Sequence, residues 1–187
     1  MRPARETDVP LLFTALRRNA EYLRAWSPEP AAGEKRVTLT LAAREVARWR
    51  ALWRRGDTYA FYLFPRRDPT TIIGRLTLGR ISRGVFQNAY AGYWIDRDHQ
   101  GTGLATEAMT GALGFAFKEL GLHRVQAAIM PHNPGSIRVV EKCGFRKEGY
   151  AERYLKIADV WEDHLVFAIT EEEHPAKRAA ELPTKPM

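Results

Sequence analysis

A glycine-containing loop that leads into an apolar helix constrains how this chain can fold. Gly101 and Gly103 lie within residues 98–107, and a mainly apolar run follows them. Glycines leave peptide N–H groups uncovered by side chains, and the start of a helix carries the positive end of its dipole. The stretch therefore predicts a phosphate-binding loop, although a short glycine pattern also occurs in plain turns.

Two common nucleotide-binding loops are excluded by the neighbouring residues. A Walker loop needs a lysine and a hydroxyl residue directly after its last glycine, and none follows Gly103 in that order. A dinucleotide fingerprint needs a third Gly or Ala at the sixth position, where this chain has Thr106. It also needs an acidic residue at the end of the next strand, and residues 131–133 contain none. The remaining pattern is Gln-x-x-Gly-x-Ala, at Gln100, Gly103 and Ala105.

Helical and strand periodicities predict an α+β fold. A first helix is expected to begin at residue 7 or 8 and to be broken at residues 19–30. Further helices are expected over residues 40–55, 106–120 and 133–144. Strands are expected as an antiparallel meander over 59–64, 71–78 and 85–95, as a strand over 124–130, and as a hairpin over 145–155 and 163–169. Because a helix joins them, the strands at 85–95 and 124–130 should be parallel.

Length and composition indicate one domain. A chain of 187 residues is long enough for one well-packed core, which we assign to residues 1–170, with a flexible tail over 171–187. No apolar stretch is long enough to span a membrane, and the N-terminus resembles no signal peptide, so we expect a cytoplasmic protein. The single Cys143 permits no internal disulfide and fits a buried helix end better than a nucleophile.

The chain is basic, with a net charge of +7. This charge favours acidic partners such as nucleic acid, ribosomal particles or a polyanionic cofactor. One face of the second helix carries five arginines: Arg44, Arg48, Arg50, Arg54 and Arg55. This face is either exposed to solvent or in contact with RNA. No His or carboxylate cluster has metal-ligand spacing, so no metal is expected.

A second motif begins at Asn133. Asn is a favoured helix cap and Pro134 suits the first helical position, so capping alone could explain the pair. The longer pattern, Met130-Pro131-His132-Asn133-x-x-Ser136 followed by Glu141-Lys142-x-Gly144-Phe145, is more specific. Together with the glycine loop, it resembles the two cofactor segments of the GNAT superfamily of acetyl-CoA-dependent N-acetyltransferases.

The resemblance extends to a narrower group and covers residues 19–170. Further segments are similar to the bacterial ribosomal-protein-alanine N-acetyltransferases, particularly those that modify a small-subunit protein: Arg83-Gly84-Val85-Phe86, Gly92-Tyr93-Trp94-Ile95, Gly149-Tyr150-Ala151, Tyr154-Leu155 and Trp161-x-Asp163-His164. The group implies a mixed, mostly antiparallel sheet flanked by helices, with two splayed central parallel strands. It also implies acetyl-CoA as donor and a protein N-terminus, plausibly the alanine of a ribosomal protein, as acceptor.

The resemblance also assigns roles within the cofactor site. Backbone groups of Tyr93, Trp94 and Ile95 would align the pantetheine arm, and the N–H near Ile95 would polarise the thioester carbonyl. Asn133 would hydrogen-bond the arm, and Ser136 would lie beside it. The pyrophosphate would be held by the loop: Gln100, Gly101, Thr102, Gly103, Leu104, Ala105 and Thr106.

The chain departs from the family pattern at two catalytic positions. Many relatives have a tyrosine that protonates the leaving thiolate where this chain has Val140, and we consider Ser136 a substitute, although it could simply be a helix-start residue. A glutamate base found in other relatives is absent from residues 126–129. An α-amine is roughly a tenth to a sixth neutral at pH 7, whereas lysine is neutral about once in 2,500, so the missing base favours an N-terminal acceptor.

Three residues are candidate ends of a water-mediated proton relay: Asp163, His164 and His132. Strand-end hydrogen bonding or loop packing could equally explain them. Two other functions remain open from the sequence. One is acetylation of a small amine or another peptide, and the other is a non-catalytic, acetyl-CoA-binding RNA- or ribosome-associated module. The sequence also leaves a homodimer open.

Overall fold

The computed structural model of the protein describes residues 1–26 and 37–174. The strands are β1 (Arg2–Pro3), β2 (Tyr59–Leu63), β3 (Gly74–Ser82), β4 (Asn88–Ile95), β5 (Arg124–Ile129), β6 (Arg146–Ile157) and β7 (Val160–Thr170). The helices are α1 (Val9–Arg24), α2 (Leu39–Arg55), α3 (Leu104–Gly114), which continues as one π-helical stretch (Phe115–Glu119), and α4 (Pro134–Lys142). The predicted α+β class is confirmed.

One seven-stranded sheet organises these elements, in the order β1-β2-β3-β4-β5-β7-β6. Every neighbouring pair is antiparallel except β4 and β5. The parallel ladder contains only three residue pairs, from Asn88↔Arg124 to Tyr90↔Gln126. Beyond Tyr90 the two strands no longer pair, although β4 continues to Ile95. The central strands therefore splay apart, as predicted.

Apolar clusters pack on both faces of the sheet. The larger one joins the sheet to α3 and α4 and includes Leu76, Met109 and Phe167. The smaller one joins α1 and α2 to the sheet through Leu12, Val46 and other buried side chains. Burying each such side chain contributes roughly 1.5–3 kcal/mol. The described members of the smaller cluster include none from β5, β6 or β7, so this cluster joins α1 and α2 to the first half of the sheet.

The first helix is longer than the sequence predicts. An interruption was expected from Asn19 onward, yet α1 continues to Arg24. Asn19 is fully buried, and its amide donates to the carbonyl of Ala15 at 2.9 Å and to the carboxylate of Asp96 at 2.7 Å. The buried carboxylate of Asp96 therefore stabilises Asn19 inside the helix, although asparagine by itself favours helix ends. The remainder of the predicted interruption, from Ser27, lies outside the described residues.

The C-terminal hairpin forms as predicted, and its strands extend slightly further than expected. After β7, Glu171–His174 form a turn in which His174 is buried against the ring of Phe117, with ring centroids 5.5 Å apart. The prediction of a flexible tail therefore concerns residues 175–187, which the structure does not describe, and stays a prediction. Among the described helices, none is long and apolar enough to cross a membrane.

Candidate functional site

A cleft of about 1140 Å³ opens where β4 and β5 separate. Its walls come from the end of α1, from β3, β4 and β5, from the loop before α3, from α4, and from the C-terminal hairpin. The gap between the two parallel strands is therefore the centre of the candidate site.

The glycine loop forms one end of this cleft. Gly101 and Gly103 have φ values of +72° and +85°, in a region that side chains other than glycine rarely adopt. A Cβ atom at either position would have no atom within 4 Å, so the space above the loop is open. The helix α3 begins at the next residue, Leu104. All seven predicted loop residues, from Gln100 to Thr106, line the cleft, in the arrangement that anion binding requires.

A buried carboxylate anchors this loop to α1. Asp96 is fully buried and accepts hydrogen bonds from Nε of Arg18 at 2.6 Å and from Nδ2 of Asn19 at 2.7 Å. It also accepts from the backbone N–H of Asp98 at 3.0 Å, and Nδ1 of His99 lies 3.4 Å away. Burial alone would raise the pKa of Asp96, but these hydrogen bonds lower it to about 2. The carboxylate therefore stays ionised and fixes the entry to the loop.

The last residues of β4 face both the cleft and the core. Tyr93, Trp94 and Ile95 all line the cleft, while the indole of Trp94 also packs in the smaller cluster. The N–H of Asp96 donates to the carbonyl of Ile73 on the β3 side, at 2.8 Å. Because successive peptide groups of a strand point in opposite directions, the N–H of Ile95 points into the gap left by β5. Its predicted role of polarising the thioester carbonyl stays a prediction.

The phenol of Tyr93 is a polar group of the site that the sequence did not reveal. Its hydroxyl lies 3.5 Å from the carbonyl oxygen of Ser136, to which it donates. Burial raises the pKa of Tyr93 to about 12. The phenol therefore keeps its proton at neutral pH, and its single O–H can turn from the carbonyl of Ser136, a contact at the limit of hydrogen-bond length, to a molecule in the cleft.

The start of α4 fits both predicted roles of Asn133. Its Oδ1 accepts the N–H of Ser136 at 3.0 Å, which is the capping interaction. Its Nδ2 has no hydrogen-bond partner among the described residues, and Asn133 lines the cleft. One side chain can therefore cap the helix and also donate to a bound molecule. Ser136 lines the cleft as well.

The three candidate relay residues occupy different environments. His164 is buried and lines the cleft, and its Nδ1 lies 3.0 Å from the carbonyl oxygen of Glu162. Since a carbonyl can only accept, Nδ1 of the neutral ring carries the proton and Nε2 carries the lone pair. His132 is exposed at the cleft edge, where its ring lies 5.7 Å from that of Trp26.

Asp163 does not line the cleft, because neighbouring residues of a strand point to opposite faces. Its carboxylate accepts from the hydroxyl of Tyr150 at 2.5 Å and from the N–H of Arg153 at 2.7 Å. These hydrogen bonds lower the pKa of Asp163. The geometry thus gives Asp163 a role in hairpin structure rather than in the predicted relay.

Comparison with known proteins agrees with this geometry. Residues 1–146 match the model of the acetyltransferase (GNAT) domain family. The chain belongs to the GNAT acetyltransferase family.

Two curated relatives and one solved structure illustrate the likeness. "Probable N-acetyltransferase YjcK" of Bacillus subtilis (strain 168) is 43% identical over 126 residues, which cover 67% of this chain and 69% of that protein. "[Ribosomal protein uS5]-alanine N-acetyltransferase" of Escherichia coli (strain K12) is 34% identical over 152 residues, or 81% of this chain and 77% of that protein. Mycobacterium smegmatis RimJ in complex with CoA-disulfide superposes with a TM-score of 0.87 and 32% identity, over 96% of this chain and 87% of that chain.

Several residues of this GNAT cleft were missed in the sequence. Tyr22 lines the cleft from α1, and burial raises the pKa of its phenol. Arg75, Arg80 and Tyr154 line the cleft from β3 and β6. Their positions follow from strand register and from a bulge, for which no short motif exists.

The arginine face of α2 is partly engaged within the chain. Arg50 forms an ion pair with Glu6, and Arg55 pairs with Asp57 at 2.8 Å. The guanidinium of Arg48 lies 5.2 Å from the ring centroid of Trp49. Contact of this face with RNA stays a prediction.

Cys143 is buried within this fold, and burial raises the pKa of its thiol. A buried thiol with a raised pKa is a poor nucleophile, in agreement with the structural role expected from the sequence. Among the described residues, no group of three or more His, Cys, Asp or Glu side chains could hold a metal ion.

Proposed function

We propose that this protein transfers the acetyl group of acetyl-CoA to the N-terminal α-amine of a protein, by direct attack within a ternary complex. The observation that carries the proposal is the gap between β4 and β5, which has the glycine loop at one end. Family membership supports the reaction class. The name of the E. coli relative supports an alanine of a ribosomal protein as acceptor, and we place the reaction in the cytoplasm on that ground.

The residues present fit acetyl-CoA. Peptide N–H groups of the glycine loop and the start of α3 would hold the pyrophosphate, and Nδ2 of Asn133 would donate to the pantetheine arm. Once bound, acetyl-CoA supplies a thioester carbonyl that an amine can attack. The N–H of Ile95 points into the gap and would stabilise the oxygen as it gains negative charge.

His164 is the proposed proton acceptor for the amine. Its Nδ1–H is committed to the carbonyl of Glu162, so the basic Nε2 is left unpartnered among the described residues. The α-amine of a peptide has a reference pKa of 7.7–8.0 and needs little assistance. One buried imidazole, acting directly or through water, is sufficient for that step. His132, at the cleft edge, is a second candidate to accept this proton through water.

Two hydroxyls would assist the departing thiolate in place of the tyrosine absent at Val140. The phenol of Tyr93 keeps its proton at neutral pH because its pKa is about 12. It lies beside Ser136, whose own hydroxyl borders the cleft. Each hydroxyl has a single O–H, so the phenol would turn its hydrogen from the carbonyl of Ser136 to the sulfur as the thiolate forms.

Mass spectrometry after incubation with acetyl-CoA tests this function. The substrates are a peptide with a free N-terminal alanine and an N-blocked peptide of the same sequence that carries an internal lysine. We expect a mass gain of one acetyl group on the alanine peptide alone. Acetylation of the lysine peptide at a similar rate would refute the N-terminal preference, and modification of neither peptide would refute the protein-acceptor proposal.

A further inference from the structure

Among the described residues that line the cleft, every side chain that is charged at neutral pH is cationic. Four carry permanent positive charge: Arg75, Arg80, Arg138 and Lys142. Three histidines also line it, whereas no Asp or Glu does among the described residues. The chain as a whole has 22 acidic residues, so the composition of the cleft is not that of the molecule.

Two of these four cations lie where acetyl-CoA, the proposed donor, would bind. Arg138 and Lys142 lie one turn apart on α4, whose end adjoins the first turn of α3. The contact is direct, because Sγ of Cys143 lies 3.7 Å from the carbonyl oxygen of Thr106. These two cations therefore lie near the glycine loop, where a polyanionic donor would bind.

The other two cations lie on β3, and a bulge places one of them. Gly79 pairs with Tyr90 and Ser82 pairs with Asn88, so two residues of β3 lie opposite a single residue of β4. Regular alternation would place Arg80 on the same face as Leu78, toward the larger apolar cluster. The bulge instead lets Ile81 pack against that cluster and leaves Arg80 exposed at the cleft.

The exposed position of Arg80 is accompanied by backbone strain at this bulge. Arg80 has a φ of +51°, which costs a residue other than glycine on the order of 1–3 kcal/mol. Bulges commonly re-aim a side chain next to a functional site. The conformation thus keeps a long cationic side chain in the cleft at the end of β3 far from the glycine loop, which we take as the acceptor end.

Of the two cations on β3, Arg80 has the side chain that is freer to bind an acceptor. Arg75 forms an ion pair with Glu45 and lies 4.9 Å from the ring centroid of Trp49. Arg80 has no ion-pair or hydrogen-bond partner among the described residues, and it is exposed. Its charge is therefore available to a bound acceptor.

We propose that the acceptor is a peptide N-terminus that carries acidic side chains within its first few residues, and that Arg80 recognises them. This inference rests on the function proposed above. An acidic segment is attracted by the cleft, whereas a polyamine or a lysine-rich segment meets like charge without a carboxylate partner. The same surroundings disfavour an ammonium ion, so they lower the pKa of the attacking amine and raise its neutral fraction.

The fold also indicates which peptide positions matter. Ile95, beside the proposed reacting carbonyl, is six residues along β4 from Ala89, which lies opposite the bulge. That separation is roughly 20 Å, and an extended peptide advances about 3.3 Å per residue. Allowing for the length of the arginine side chain, acidic groups at positions three to five would come within its reach.

Steady-state acetylation of matched peptides tests the proposal. Eight-residue peptides begin with alanine and carry aspartate, asparagine or lysine at positions three to five. We expect kcat/KM to fall in that order, with about a tenfold difference between the aspartate and lysine peptides, because exposed charge pairs each contribute only modestly. The preference should weaken at high ionic strength.

A charge-reversed variant identifies the responsible residue. Arg80→Glu should abolish or invert the preference and leave the KM for acetyl-CoA unchanged. Arg54→Glu makes the same change of net charge on an exposed residue that does not line the cleft, and it should retain the wild-type preference. A thermal melt of both variants checks that each is folded.

The outcomes separate this inference from the proposed function. Equal rates on all three peptides would overturn the acidic preference while confirming N-terminal acetylation. A preference that persists in Arg80→Glu would overturn the role of Arg80, and a raised KM for acetyl-CoA alone would assign Arg80 to the donor. If no peptide is modified, both proposals fail.

Discussion

The two ends of the cleft are built in different ways. The end where we place the donor comes mainly from one continuous stretch, from His99 to Thr106, and is proposed to act largely through backbone N–H groups. The acceptor end combines side chains from distant strands, such as Arg80 on β3 and His164 on β7. A backbone-built site tolerates many side chains but requires particular φ angles, whereas a side-chain site depends on strand register. The two ends should therefore respond differently to substitution.

Replacing His164 should have the largest effect, and at the acceptor end only. For His164→Gln we expect kcat for an alanine peptide at pH 7 to fall more than tenfold, because about a tenth to a sixth of the amine is neutral without a base and the attacking N–H also loses its proton acceptor. The KM for acetyl-CoA should not change. The deficit should shrink as the pH rises through about 8, because the amine then loses its proton without help.

His123→Gln is the matched control for this change. His123 is exposed, pairs with Glu172 at 3.2 Å and does not line the cleft. It should retain wild-type turnover. Full activity of His164→Gln across the pH range would remove His164 from the mechanism and leave His132 as the candidate.

Replacing Gly103 should have the next largest effect, and at the donor end only. An alanine with a φ near +85° is strained, and its methyl group would project into the open space where we place the phosphates. For Gly103→Ala we expect the KM for acetyl-CoA to rise about tenfold, since each misplaced N–H weakens a charge-assisted hydrogen bond.

Gly84→Ala is the control that separates the effect of backbone strain from the effect on acetyl-CoA binding. Gly84 also has a positive φ, of +67°, with nothing within 4 Å of an added Cβ, but it lies outside the cleft. Both variants should lose roughly 1 kcal/mol of unfolding free energy in urea titrations. If Gly84→Ala raises the KM as much as Gly103→Ala, the loop is not the phosphate site.

Asp96 links the donor end to the stability of the fold. Its pKa is lowered to about 2 in the folded protein, from a reference near 3.9. The carboxylate therefore contributes about 2–3 kcal/mol above pH 4, and this contribution is lost as the pH falls from about 4 to 2. Asp96→Asn should be less stable than the wild type by about that amount at pH 7 and should converge with it near pH 2.

Urea titrations at pH 7 and at lower pH measure this difference. Asp57→Asn is the control, because Asp57 is an exposed partner of Arg55 and its loss should change stability by less than about 0.5 kcal/mol. A constant difference between Asp96→Asn and the wild type down to pH 2 would contradict the ionised state assigned to Asp96.

The sequence revealed the donor end because its signals are local. Glycines at positive φ, a helix start and an N-capping asparagine are each visible within a few residues, and the parallel pairing of β4 and β5 follows from the intervening helix. The interruption predicted at Asn19 was wrong for the complementary reason. The partner that retains Asn19 within α1 is Asp96, which lies 77 residues away.

The acceptor end could be predicted only in part. His164 was identified as a candidate, but the sequence could not separate it from Asp163, since adjacent residues of a strand differ in face and the face depends on register. Arg80 was not identified, because the predicted strand ended at residue 78, whereas β3 continues past Gly79 through a bulge to Ser82. Side-chain sites assembled across strands therefore need the structure.

The smallest effect should come from Ser136, which lies between the two ends. Its N–H is capped by Asn133 and its carbonyl accepts from Tyr93, so its backbone already serves the site whatever its side chain does. Because the phenol of Tyr93 can donate to the departing sulfur, Ser136→Ala should lower kcat by less than about threefold, whereas Tyr93→Phe should lower it by about threefold to tenfold. Pre-steady-state acetylation compares the two variants at saturating acetyl-CoA. A larger loss in Ser136→Ala than in Tyr93→Phe would transfer the thiolate-stabilising role from the phenol to the serine hydroxyl.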